Sequence, residues 1–148
     1  MKLNSKLALV CLALAAFAPQ VYARDTILNI PLADVLAMPE AQGKLDGSVK
    51  FYLAGAATPT IKKTFGSDTA NPKTNGFNKS DEFGCKWAAL SALISFQNSA
   101  KRQGANAVTD IVSYYKKNET KSDSTIQCHA GTFVIGLALK GTYAQVAD

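Results

Sequence analysis

The sequence predicts an α+β domain, a two-layer sandwich in which one long helix packs on a face of a small, mostly antiparallel sheet of about four strands. Apolar residues recur at helical spacing from Asp81 to Gln103. Shorter segments on both sides of this helix alternate apolar and polar residues, as strands do. The chain has 148 residues, which is enough for one core and too few for two.

Residues 1–23 have the pattern of a secretory signal peptide. Lys2 and Lys6 precede an apolar run from Leu7 to Phe17, and small residues before Arg24 predict cleavage between Ala23 and Arg24. The run is shorter than the roughly 18 apolar residues that a membrane span needs. We therefore expect a periplasmic or secreted protein, with 24–148 as a single domain and no transmembrane anchor after cleavage.

The composition is that of a globular protein, since 47% of residues are hydrophobic and 18% are charged. The leader carries two lysines and no acidic residue, so its removal lowers the formal charge from +5 to +3. Such a charge is ordinary for solubility, and nucleic-acid binding usually needs a concentrated basic face. We expect no nucleic-acid partner.

The first half of the domain predicts two strands and a helical turn. Thr26, Leu28 and Ile30 alternate with their neighbours in a short strand. Pro31 suits the start of a helical turn over 32–37, which Pro39 and Gly43 end. A second strand follows over 48–54. Residues 55–80 are rich in Pro, Gly, Thr and Asn, and they predict a long loop.

The long helix has clear ends. Ser80 or Asp81 suits its N-cap, and Gly104 suits its C-cap. Two neighbouring apolar stripes are predicted to face the core, one of Phe83, Trp87, Leu90 and Ile94 and the other of Ala89, Leu93, Phe96 and Ala100.

The last part of the chain predicts an antiparallel hairpin. Residues 106–117 form its first strand, 118–124 a polar turn and 125–142 a second long strand. Four alternating residues of the second strand are predicted to point into the core: Phe133, Ile135, Leu137 and Leu139.

Three cysteines are present, and Cys11 lies in the leader. The other two, Cys85 and Cys128, are expected to pair, because two cysteines in an exported domain usually do. The closed loop of about 43 residues corresponds to roughly 4 kcal/mol in the chain-entropy model. The alternative is a free Cys85 at the helix N-terminus, where the helix dipole would lower the pKa of its thiol and make it reactive.

Four further residues are candidates for function. His129 is the only histidine and suits a base or a metal ligand, but Cys128 and His129 are strand neighbours that point to opposite faces. Asp110 is either a buried acid or a strand-edge residue. Tyr114 and Tyr115 precede two lysines, a mixture that suits an anionic surface such as a membrane or a glycan and equally a half-buried strand end with solvated lysines.

Much of the mature chain resembles a group of small secreted proteobacterial proteins of unknown function that often carry the label "excinuclease ATPase subunit". The resemblance rests on a cysteine opening an Ala-rich helix, on a helix-to-strand turn and on a cysteine-led last strand. The matching segments are Arg24–Thr26, Lys44–Gly55, Cys85, Gly104–Val108, Asp110–Glu119 and Cys128–Gly131. The helix and hairpin also resemble, more distantly, the Rcs-pathway envelope-stress sensor lipoprotein and YbjQ-type domains.

These resemblances imply an envelope protein, and the sensor implies that Cys85 and Cys128 join the helix to the sheet. The label itself finds no support in the residues, because the chain has no Gly-x-x-x-x-Gly-Lys-Ser/Thr loop to cradle a nucleotide phosphate. No zinc-type cysteine spacing is present either. We therefore expect no cofactor, no metal site and no catalytic residue.

The leading functional hypothesis is a non-catalytic module that binds a ligand or partner, or senses stress, at the cell envelope. The alternative is a periplasmic hydrolase or thiol redox enzyme that uses His129 with Cys85 and Cys128. Nucleotide or DNA handling is the third possibility, and a titration with ATP would test it.

Overall fold

The computed structural model describes residues 22–148, so the predicted leader residues 1–21, including Cys11, lie outside the described residues. The cleavage position stays a prediction. The elements are, in chain order, β1 (Thr26–Pro31), α1 (Leu32–Leu36), α2 (Pro39–Gln42), β2 (Lys50–Leu53), β3 (Ile61–Ala70), β4 (Lys73–Asn75), α3 (Asp81–Gln103), β5 (Ala107–Ser113), a 3₁₀ turn (Tyr115–Lys117), β6 (Thr125–Ala130), β7 (Val134–Gly136) and β8 (Leu139–Val146).

The strands form two four-stranded sheets, and the prediction of one sheet was wrong. The first sheet has the order β1-β6-β7-β4 and is antiparallel throughout. The second has the order β2-β5-β8-β3, in which only β2 and β5 run parallel. The α+β class and the long packed helix are confirmed, and α3 contacts strands of both sheets.

The single strand predicted over 125–142 is three strands that pair with different partners. β6 pairs with β1, β7 with β4, and β8 with β5 and β3. The first break is a tight turn in which the amide of Gly131 donates to the carbonyl of Val134 at 2.9 Å. A side chain at Gly131 would place its Cβ 2.9 Å from that carbonyl oxygen, which explains the glycine. The predicted hairpin is therefore wrong, because β5 pairs with β8 and not with β6.

The prediction that Phe133 points into the core is also wrong, because this residue lies in the turn and is 72% exposed. Ile135, Leu137 and Leu139 are buried as predicted.

The long loop predicted over 55–80 contains β3 and β4. β3 is an edge strand whose residues are almost all exposed, so most of its side chains are polar and it shows no regular apolar alternation. Lys62 and Lys63 on this edge discourage pairing with another chain. Pro39 also differs from its prediction, since it begins the one-turn helix α2.

Helix α3 has the predicted bounds. The hydroxyl of Ser80 accepts a hydrogen bond from the Phe83 amide at 3.2 Å, and Gly104 ends the helix in the left-handed conformation with φ 74°. The second predicted stripe is fully buried: Ala89, Leu93, Phe96 and Ala100. In the first stripe only Leu90 is buried completely, and Phe83 is 42% exposed.

Two sets of contacts fix α3 between the sheets. Near its N-terminus, Cys85 forms a disulfide with Cys128 of β6, as predicted, and both residues are fully buried. Closer to the C-terminus of the helix, Phe96 packs edge-to-face on Tyr143 of β8, with 6.2 Å between ring centroids. Among residues 22–148, no helix is both long and apolar enough to span a membrane.

Candidate functional site

The candidate site lies on the face of the first sheet that points away from α3. In the antiparallel pairing of β1 with β6, Ile27 lies opposite His129 and Leu28 lies opposite Cys128. Since neighbouring strand residues point to opposite faces, Cys128 reaches the helix and His129 the other side. The sequence prediction that these two neighbours point to opposite faces agrees with this geometry.

His129 is paired with a carboxylate that the sequence reasoning did not find. The Nδ1 atom of His129 lies 3.0 Å and 3.2 Å from the two carboxylate oxygens of Asp25. Because an ionised carboxylate only accepts hydrogen bonds, Nδ1 is the ring atom that carries the hydrogen. Asp25 lies two residues before Ile27 and therefore on the same face of the sheet as His129. This placement can be inferred only when the pairing of β1 with β6 is known.

An aromatic ring covers the histidine. Tyr115 stacks on His129 with 3.5 Å between ring centroids and 15° between ring planes. The ammonium of Lys116 lies 5.3 Å from the centroid of the Tyr115 ring. His129 is consequently only 9% exposed, although it is on an outer face of the sheet.

The backbone after Tyr115 is strained. Lys116 and Lys117 have φ values of 50° and 64°, in the left-handed region that non-glycine residues rarely adopt. Hydrogen bonds on both sides fix the segment: Ser113 and Thr120 exchange two backbone bonds, and the Ser113 hydroxyl accepts from the Gln127 amide at 2.8 Å. Strain that the surroundings impose in this way is typical of functional sites.

A cavity of about 490 Å³ opens beside this cluster. Its wall is basic, with Lys73, Lys116 and Arg24 against one acidic residue, Asp25. Arg24 is ion-paired with Asp81, and Asp25 is engaged by His129. Lys73 and Lys116 form no ion pair with a described acidic side chain. The cavity wall therefore includes two lysines without an ion-pair partner among the described acidic residues.

His129 is also part of this wall, and it has an unused polar atom. Its Nε2 is buried and has no hydrogen-bond partner among the described residues. Buried polar atoms are almost always partnered, so such an atom marks a position that a ligand group can satisfy.

The other sequence candidates lie elsewhere. Asp110 is exposed and not a buried acid. It occupies an irregularity of β5 with φ 50°, and it lines a separate polar cavity of about 240 Å³. There the Lys140 ammonium donates to Glu119 at 2.8 Å, which lowers the pKa of Glu119 and raises the pKa of Lys140. Tyr114 belongs to this second group, since Lys140 lies 5.2 Å from its ring centroid.

The structure thus joins Tyr115 with His129 and separates both from Asp110 and Tyr114. Within residues 22–148, no three His, Cys, Asp or Glu side chains converge as metal ligands would. No protein-family model, curated protein or solved structure matches this chain.

Proposed function

We propose that this chain is an exported envelope protein that binds an anionic ligand, without catalysis, in the cavity beside His129. The observation that carries the proposal is the cavity wall, which combines two unpaired lysines with a buried histidine whose Nε2 has no partner. The signal-peptide pattern and the resemblance to secreted proteobacterial proteins support the envelope location.

The charges favour an anion. Lys73 and Lys116 each offer hydrogen bonds to an oxyanion, and a protonated His129 would add an Nε2–H donor. Asp25, the one acidic residue among those described in the wall, accepts a hydrogen bond from Nδ1, which lies across the imidazole ring from Nε2. Asp25 therefore orients the imidazole and leaves Nε2 free of that contact.

Removal of the signal peptide during export would add a positive charge to the cavity wall. Ala23 and Arg24 both line the cavity, so cleavage between them would create an α-ammonium group there. This positive charge would exist only in the processed protein. Ligand binding in this cavity is therefore expected to be tighter in the mature protein than in the uncleaved precursor.

A titration of the mature protein with inorganic phosphate, followed by amide NMR at constant ionic strength, tests the proposal. We expect saturable shifts that cluster at Tyr115, Lys116 and His129. The double variant Lys73→Gln/Lys116→Gln should weaken binding by about tenfold per lysine, since each loses one charge-assisted hydrogen bond.

Lys62→Gln is the matched control, because it removes an exposed lysine of β3 far from the cavity wall. It should bind phosphate as the wild type does. Shifts scattered over the surface, or equal affinity in the double variant, would contradict the proposal.

The alternative of a hydrolase has one observation in its favour, the Asp25–His129 pair, which resembles the arrangement that orients a general base. Turnover of a p-nitrophenyl ester by the wild type and not by a folded His129→Gln variant would favour it. A thiol redox role is less compatible, because both cysteines are fully buried in their disulfide.

A further inference from the structure

Two adjacent loops present exposed phenylalanines at one end of the first sheet. Phe77 follows β4 and is 64% exposed, and Phe133 precedes β7 and is 72% exposed. Val134, beside Phe133, is 52% exposed. We call these three residues the aromatic tip. Exposed large apolar side chains that cluster in this way commonly mark an interaction surface.

Hydrogen bonds hold the two loops together and fix their shape. β4 and β7 are paired as far as Asn75 and Val134, and the Gly76 amide donates to the Phe133 carbonyl at 2.9 Å. The Asn75 side chain accepts from the Phe77 amide at 2.7 Å. The backbone of the tip is thus ordered before any partner binds, which reduces the entropy cost of binding.

Two lysines flank the tip. Lys79 is two residues from Phe77 and donates to Thr74 of β4 at 3.1 Å. Lys73 begins β4 and lies opposite Gly136 of β7, in the strand pair that carries the tip. The nearby acids are neutralised, since Asp81 pairs with Arg24 and Glu82 with Lys86.

We propose that the aromatic tip docks the protein on a bilayer surface rich in anionic phospholipids. Aromatic and aliphatic side chains partition into the boundary between headgroups and acyl chains, and flanking lysines are attracted to anionic headgroups. A second copy of the chain is a poorer occupant, because three side chains bury far less than the roughly 1,200 Å² of a stable interface and the facing lysines repel.

The inference goes beyond the proposed function and does not need an occupied cavity. Val134 lines both the tip and the cavity, so docking would hold the cavity mouth close to the headgroup phosphates. Neither Phe77 nor Phe133 lines the cavity. The two proposals can therefore fail separately.

Co-sedimentation of the mature protein with phosphatidylglycerol vesicles, and with phosphatidylcholine vesicles, tests the inference. We expect partition into the anionic vesicles only, falling as salt rises. Phe77→Ser/Phe133→Ser should weaken it by about tenfold or more, because two exposed rings lose their burial in the interface. Ile61→Ser, which alters an exposed apolar residue of the second sheet, should change nothing.

Both phenylalanines are exposed, so the double variant should keep the wild-type melting temperature and the phosphate-induced NMR shifts. No sedimentation with either lipid, equal sedimentation with both, or unchanged binding of the double variant would each overturn membrane docking. Loss of phosphate shifts alone, with sedimentation intact, would count against the cavity and not against the tip.

Discussion

Replacing both cysteines, in the variant Cys85→Ala/Cys128→Ala, is expected to lower the free energy of unfolding by about 4 kcal/mol. The disulfide closes a separation of 43 residues and restricts the unfolded chain accordingly. Denaturant unfolding of the wild type and the variant, both without reductant, measures the difference. A change below about 1 kcal/mol, or alkylation of either thiol in the native wild type, would contradict a structural disulfide.

The same variant tests whether ligand binding in the cavity depends on the disulfide. Cys128 faces α3 and His129 faces the cavity, so the phosphate-induced shifts at Tyr115 and Lys116 should survive at temperatures where the variant is folded. Loss of binding in a folded variant would contradict this separation.

Phe96→Ala is expected to destabilise the protein by about 3–5 kcal/mol, since it empties a large, well-packed position. Phe96 is 1% exposed and connects α3 to Tyr143 of the second sheet. Burial raises the pKa of Tyr143, with Asp68 adding to the effect. The variant should therefore also bring the pKa of Tyr143 back toward its ordinary value, as an ultraviolet titration would show.

Ser95→Ala is the matched control for Phe96→Ala. Ser95 is the preceding residue of the helix and is exposed, so the substitution should change stability by no more than about 0.5 kcal/mol. A comparable loss in both variants would contradict the packing explanation, because alanine has a higher helix propensity than the residue it replaces at both positions.

The sequence predicted those features that depend on local chemistry. Helix α3 has the predicted ends because a hydroxyl cap, helical spacing and a terminal glycine all act within a few residues. The disulfide was predictable because residues 24–148 contain only one pair of cysteines.

The sheets were harder to predict, because strand pairing joins distant residues. Residues 125–142 show one apolar alternation, yet Gly131 and the break before Leu139 divide them into three strands that pair with different partners. Edge strand β3 has mostly polar side chains without apolar alternation, which is the pattern of a loop.

The candidate site depends on the same long-range pairing. His129 was noticed as the only histidine, and Tyr115 as an aromatic beside lysines, but nothing local connects them. Asp25 is 104 residues from His129 and reaches it only through the β1–β6 register. Lys73 was assigned to a loop, so its place in the cavity wall could not be foreseen.

Anomalous diffraction from crystals of the mature protein soaked in selenate tests the central claim, that the cavity beside His129 binds an oxyanion. We expect a selenium peak inside the cavity, with oxygens about 3 Å from the ammonium of Lys73 or Lys116. Selenate found only at other surface lysines, at a concentration that saturates binding in solution, would contradict the claim.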